Sequence, residues 1–225
     1  DLNFTLHGDA SIVKDLSADL PALNGPISGS GKITGYGNNP EIRGTLNSNA
    51  LVIDNTSPFE VDGNYEIITS ATARPYRIEL QFKDFPVIAL RKYVPQASDI
   101  GSLASGKLHY EGGTDPFAAT GSVNFALRAS EKGTLPVAGE IHGDLSNGSL
   151  KLSQSNLSMR SSHASFSGNV TRNDVDLAVR ATVANTADLA VFVPDLRKIP
   201  GAYRVEARIQ GPFQNLQING NLNGT

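Results

Sequence analysis

A chain of 225 residues, 39% hydrophobic and 7% aromatic, can fill one large β domain or two small ones. It has no cysteine, which excludes a disulfide framework and a thiolate metal site. Its formal charge of −3, with no basic block, argues against a nucleic-acid binder. No apolar run is long enough to cross a bilayer and no signal peptide is present, so a chain starting at Asp1 is expected to be a fragment of a longer protein.

Taken in chain order, the first expected element is a short amphipathic helix near 16–23, with Leu16, Leu20 and Leu23 at helical spacing beside Pro21. A glycine pair follows, Gly35 and Gly44, with a turn-rich Tyr36-Gly37-Asn38-Asn39-Pro40 between them. Phe59, Val61, Gly63, Tyr65 and Ile67 then alternate with Glu60, Asp62, Asn64 and Glu66. Tyr76, Ile78, Leu80 and Phe82 alternate with Arg77, Glu79, Gln81 and Lys83. Period two puts each set on its own face of a strand. A second short helix is expected near 86–94, from Ile88, Leu90, Tyr93 and Val94 before Pro95.

The second glycine pair is Gly112 and Gly121. After it come alternating Val123, Phe125 and Leu127, then Val137, Ile141 and Leu145 with Gly139 and Gly143 in the same register. Asn147-Gly148 suits a type I′ hairpin turn. Ala164, Phe166, Gly168 and Val170 form the next strand, and Val175, Leu177, Val179 and Val183 the one after. A third short helix is expected near 186–193, with Thr186 as N-cap and Leu189, Phe192 and Val193 before Pro194. Tyr203, Val205, Ala207 and Ile209 lead to the third glycine pair, Gly211 and Gly220, followed by the register of Leu216, Ile218 and Leu222.

The three glycine pairs share one spacing, and each ends in a glycine-led strand, as in Gly44-Thr-Leu, Gly121-Ser-Val and Gly220-Asn-Leu. Recurrence of that kind indicates an extended array: a first repeat over 1–100, a second over 101–200 and the start of a third over 201–225. One apolar and one polar face per strand indicates antiparallel pairing with one side wet. Glycines in the apolar register weaken a strand and mark a bend or a close approach, which suits a tightly curling sheet. The residues alone leave two readings of the apolar face: a sandwich core, or a groove that stays open.

The pattern Asp19-Leu-Pro-Ala-Leu-Asn-Gly-Pro-Ile-Ser-Gly-Ser-Gly-Lys-Ile-Thr-Gly35, with Pro40-Glu-Ile-Arg-Gly44-Thr-Leu46, resembles the AsmA-like and TamB-like proteins of Gram-negative envelopes. Ile100-Gly-Ser-Leu-Ala-Ser-Gly-Lys-Leu108 and Asp188-Leu-Ala-Val-Phe-Val-Pro-Asp-Leu196 extend the likeness. The resemblance implies an elongated curled antiparallel sheet, a taco-like β-groove with two or three short helices. It implies a periplasmic segment of an inner-membrane-anchored protein that conducts phospholipid between the two membranes. Its partners would be phospholipid acyl chains and, for TamB-like members, outer-membrane barrel proteins. The membrane anchor would lie outside this chain. The expected lining is Phe59, Val61, Tyr65, Ile78, Leu80, Phe82, Val123, Phe125, Ile141, Phe166, Leu177, Val179, Val205 and Ile218. Strand templating of barrel proteins and a passive β-stalk or adhesin are the alternatives.

Chemistry-bearing motifs are missing. His7, His109, His142 and His163 have no metal-ligand spacing, and His109 and His142 read as solvated strand residues. No nucleophile elbow leads from a strand into a helix, and no glycine-rich loop sits in a βαβ unit. Neither an enzyme nor a cofactor is expected.

Overall fold

A computed structural model describes residues 1–11, 22–36, 39–69, 75–92, 100–113, 118–130, 135–186, 198 and 200–224. The alternating segments form strands β1 (Leu2–Asp9), β2 (Leu23–Asn24), β3 (Pro26–Thr34), β4 (Glu41–Ile53), β5 (Phe59–Ile68), β6 (Tyr76–Pro86) and β7 (Ile100–Gly112). They continue with β8 (Thr120–Ala129), β9 (Leu135–Ser146), β10 (Ser149–Met159), β11 (Ser162–Thr171), β12 (Asp174–Val183), β13 (Tyr203–Pro212) and β14 (Gln217–Gly224).

All belong to one sheet in which nearly every strand pairs antiparallel with its neighbour in sequence, from β1 through β3 to β14. The short β2 lies off this path and pairs β4. A two-residue parallel contact joins β7 to β9 at Ile100–Leu135 and Gly101–Pro136. The sheet does not close into a barrel. Pairing is continuous across residues 100 and 200, since β6 pairs β7 and β12 pairs β13 along most of their length. Thirteen strands side by side at about 4.8 Å spacing make a ribbon with a contour of roughly 57 Å.

The expected helices require correction. No described residue is in an α-helix. The stretch expected over 86–94 is a 3-10 helix at Val87–Lys92, and Pro86 is the last residue of β6. Six residues give too few hydrogen bonds to offset α-helix nucleation, so the tighter 3-10 form suits so short a piece. Leu23, expected to end the first helix, is in β2 opposite Ile53. Ala22 is described and lies in no helix, while residues 16–21 and most of the helix near 186–193 lie outside the described residues.

The turn chemistry follows the sequence. Asn147 (φ 49°) and Gly148 (φ 77°) both take positive φ, the type I′ combination that matches strand twist. The first and third glycine pairs open on the same turn. Asn39 N donates to Tyr36 O, and Asn215 N donates to Pro212 O at 2.8 Å, after Gly35 and Gly211 at φ 100° and 108°.

Three strands carry an extra residue. Register shifts fall between Ser48 and Leu51 in β4, Phe82 and Phe85 in β6, and Leu152 and Ser155 in β10. Each bulge carries the apolar register over to the other parity, so Leu51, Phe85 and Ser155 stay on the face of Ser48, Phe82 and Leu152. The β6 bulge is pinned by Asp84 N donating to Ser105 Oγ (2.9 Å) and by Arg128 donating to the Asp84 carboxylate (2.9 Å).

Two clusters of buried apolar residues gather along one long edge of the ribbon, while Ala119 and Val175 are buried at the other. Ala10, Leu51, Phe59 and Val61 form one cluster with Leu23, Ile27, Ile53, Leu80 and Phe85 packed on it. Leu135, Val137 and Met159 form another with Ile100 and Leu157. Most of these sit at the ends of β4, β6 and β10 and the starts of β5, β7 and β9, which meet at that edge.

The polar face is a lattice of cross-strand pairs. Arg43, Glu66, Arg77 and Glu111 stand directly opposite one another on β4 to β7, with N–O distances of 2.5, 2.9 and 2.7 Å. Such exposed pairs are each worth only about 0–1 kcal/mol, but they set register by sign. Arg208 donates twice to the Asp176 carboxylate, at 2.8 and 2.7 Å, and holds its pKa below the usual value. A lowered carboxylate pKa means stabilisation that is complete above about pH 4 and is lost as pH falls through the folded-state value. Arg208→Gln should therefore raise the Asp176 midpoint in a carboxyl-carbon NMR titration, whereas Arg180→Gln, which belongs to the Glu206 pair, should leave it in place.

Candidate functional site

Residues that face each other across strands share a side of the sheet, so the register traces rows of side chains running along the ribbon. One row passes through all thirteen strands of the main path: Leu6, Gly29, Leu46, Gly63, Leu80, Leu108, Val123, Gly143, Leu152, Gly168, Leu177, Ile209 and Ile218. It contains no polar side chain. A parallel row runs Phe4, Gly31, Gly44, Tyr65, Ile78, Tyr110, Gly121, Leu145, Leu150, Val170, Val175 and Gly211. Toward the buried edge lies a third, Phe85, Ala104, Leu127, Gly139, Leu157, Ala164, Ala181, Val205 and Leu222.

All fourteen residues expected as lining fall on this one face. Tyr65 and Ile78 are in the second row named, Leu80, Val123, Leu177 and Ile218 in the first, and Val205 in the third. Val61 and Phe82 continue through Gly106 to Phe125 and Ile141, while Phe166 and Val179 form the matching positions on β11 and β12. Phe59 sits at the edge opposite Leu51. Phe59 and Val61 are buried in the edge cluster, Ile218 is 69% exposed, and the other eleven are half-buried. Phe82 bridges the aromatic members, with ring centroids 5.9 Å from Phe85 and 4.9 Å from Phe125.

The glycines within the rows have a common geometry. At Gly44, Gly121 and Gly220, the second members of the three sequence pairs, a Cβ would lie 2.3, 2.1 and 2.2 Å from the carbonyl oxygen of Ser30, His109 and Glu206. Gly63, Gly106, Gly139 and Gly168 meet Glu79, Asn124, Asn156 and Asp176 carbonyls in the same way, at 2.0 to 2.2 Å. In each case the neighbouring strand's carbonyl occupies the space a side chain would take. At two positions a ring crowds the same space beside a carbonyl: the Phe4 ring lies over Gly31, with Arg43 O at 2.7 Å, and the Tyr65 phenol over Gly44. Of the first glycines, Gly35 and Gly211 shape turns, and Gly112 ends β7 against Ala119.

Buried serines enter the apolar register at Ser48, Ser102, Ser155 and Ser162. Ser155 is fully buried beside the β10 bulge, receives His142 N–H at 3.1 Å and donates within the same loop of backbone. It satisfies ladder groups that the extra residue leaves unpaired. His109 lies on the polar face 3.5 Å from Glu79 and 3.7 Å from Glu111, and His142 contacts Asn124 Oδ1 at 3.0 Å. Among the described residues no three His, Asp or Glu are grouped to hold a metal. Open hollows on the polar side, such as one of 760 Å³, are walled by the paired Arg43, Glu66 and Arg77 with Thr5, Ser30 and Asn64.

The expected lining left out β1, with Leu2, Phe4 and Leu6, and the row members Leu46, Leu108, Tyr110, Leu152 and Leu157. In β7 the alternation is masked by glycine, as at Gly106, and in β10 by the bulge, whereas Leu2, Phe4 and Leu6 alternate plainly with Asn3, Thr5 and His7. No protein-family model, curated protein or solved structure matches this chain.

Proposed function

We propose that this chain is a segment of an open apolar β-groove that carries phospholipid acyl chains, within a periplasm-spanning, inner-membrane-anchored protein of a Gram-negative envelope. The observation that carries the reading is the thirteen-strand row without a polar side chain, most of it half-exposed rather than sealed under a second layer.

The glycine geometry supports a trough. A carbonyl seated where a Cβ would be means that the adjacent strand rides up on the apolar side. Close approach of this kind at seven points, spread from β4 to β14, supports a ribbon curled toward its apolar face. The bulges in β4, β6 and β10 add local twist and bend in the same strands. A long sheet curled this way has a greasy interior and a charged exterior.

Such an interior suits a long saturated chain. Each buried methylene is worth about 0.8 kcal/mol, so a tail of about sixteen carbons gains on the order of 10 kcal/mol without a polar contact. Because every position of the row is aliphatic or glycine, a tail displaced by one or two strands meets apolar surroundings throughout. No single position is a deep trap, and the passenger can slide. The envelope location rests on the AsmA-like and TamB-like pattern of 19–46.

The test is mass spectrometry of lipids that co-purify with the chain when it is exported to a Gram-negative periplasm and isolated without detergent. Bound phospholipid, and competition by it for a fluorescent fatty-acid probe, are expected. A lipid-free protein that also leaves the probe unbound would end the proposal.

A further inference from the structure

Charge on the polar face is not evenly neutralised. On β4 to β7, Arg43 and Arg77 meet carboxylates at 2.5, 2.9 and 2.7 Å. On β10 to β13 the pattern changes. One polar row there runs Ala138, Ser158, His163, Thr182 and Arg204, with two bases and no carboxylate. The row beside it runs Glu140, Asn156, Ser165, Arg180 and Glu206. Arg180 Nε lies 3.7 Å from Glu206, and both side chains are exposed, so solvent screens this contact.

Residues of these two rows wall a hollow of 580 Å³ on the polar side of β10 to β13. All four strands are interior to the sheet, each paired on both sides. The hollow is rich in hydrogen-bond donors. The side chains of Arg204, His163, Thr182, Ser165 and Asn156 have no hydrogen-bond or ion-pair partner among the described residues. They bring a guanidinium, an imidazole, two hydroxyls and an amide to one place. Glu206 is the one carboxylate among the described residues that line it.

Arg180 and Arg204 stand diagonally on neighbouring strands, a separation of about 7–8 Å from which both guanidinium groups can reach one anion. Guanidinium groups bind phosphate oxygens in pairs of parallel hydrogen bonds. A carboxylate offers two oxygens in a plane, whereas a phosphate offers three or more on a tetrahedron. Donors that arrive from β11, β12 and β13 fit the tetrahedral set.

We propose that this hollow is a binding site for a phosphate group, held by Arg204 and Arg180 with Thr182, Ser165 and His163 around it. The inference stands on the polar face alone, whatever the apolar face carries.

The isotope-labelled chain should be titrated with inorganic phosphate against chloride at constant ionic strength, with NMR of arginine side-chain and backbone amide signals. Saturable shifts are expected at Arg204, Arg180 and Thr182 and not at Arg43. Arg204→Gln should weaken binding by about tenfold or more, and Thr182→Val by a smaller factor, whereas Arg43→Gln should leave it unchanged. Arg204, Thr182 and Arg43 are all exposed, so the variants should fold, as circular dichroism would confirm. Co-sedimentation with phosphatidylcholine vesicles that contain phosphatidic acid separates the two sources of the group. Vesicle binding that Arg204→Gln abolishes assigns a lipid headgroup, and phosphate binding without vesicle binding assigns a small soluble phosphate. Absence of both, equal affinity in Arg204→Gln, or an equal loss in Arg43→Gln would overturn the proposal.

Discussion

Gly168→Ala is expected to lower the unfolding free energy by about 3 kcal/mol. Two penalties act together. Gly168 sits at φ 144°, where an L side chain is strained, and its Cβ would lie 2.0 Å from the Asp176 carbonyl oxygen. That oxygen belongs to a backbone ladder, so it cannot withdraw as a flexible side chain would. Gly139 combines φ 147° with a 2.1 Å approach from Asn156 O and should respond alike. Gly8, in the same ribbon, has nothing within 4 Å of its Cβ position, and Gly8→Ala should change stability by less than about 0.5 kcal/mol. Urea denaturation of the three variants checks this through their midpoints. Equal midpoints for Gly168→Ala and Gly8→Ala would mean that the close strand approach is not a feature of the folded chain.

The second large effect concerns neighbours on opposite faces. Leu177→Asp puts a carboxylate in the thirteen-strand apolar row, between Gly168 and Ile209. Ala178→Asp puts the same group one residue along, on the polar face opposite Arg208. A one-residue step reverses the face of a strand, so each variant controls for the other. Loading with phospholipid should fall by about tenfold or more in Leu177→Asp, since one lost methylene site and one unpaired charge each oppose an acyl chain. Ala178→Asp should load normally. Stability separates an open face from a sealed one. On a face open to water the Leu177→Asp carboxylate stays hydrated and costs about 1 kcal/mol or less, whereas in a sealed core it would cost several. Normal loading in Leu177→Asp would count against the acyl-chain groove even if the protein remained fully folded.

Strands such as β5 could be read directly, because Phe59 to Ile67 alternate without interruption and a period of two has one structural meaning. β4, β6 and β10 were harder for a definite reason. Each contains one extra residue, and after it the apolar set moves from even to odd positions or the reverse, as from Phe82 to Phe85. A fixed period loses the strand at that point. The short helices illustrate the opposite error. Leu90, Tyr93 and Val94 are spaced for a helical face, but a stretch hemmed by Pro86 and Pro95 is too short for stable α-helix, and Val87–Lys92 settles as 3-10.

The candidate site divides in the same way. Which side chains are apolar, and that they lie on one side of each strand, was legible because alternation is local. The recurrence of the glycine pairs was legible too, but not its reason. Gly44, Gly121 and Gly220 are glycine because a carbonyl from another strand, fourteen, twelve and fourteen residues away, fills the Cβ position. Pairing of that kind depends on register, and register is set by bulges and turns acting together across strands.

The amino-acid sequence by itself determined an all-β, antiparallel chain with one apolar and one charged face, since both follow from side-chain order along a single strand. Only the tertiary structure decided that those faces join into rows along one open ribbon and that the buried clusters gather mainly along one long edge. Those features arise from cross-strand contacts, in which residues far apart in the chain compete for the same space, and no local pattern encodes the outcome of that competition.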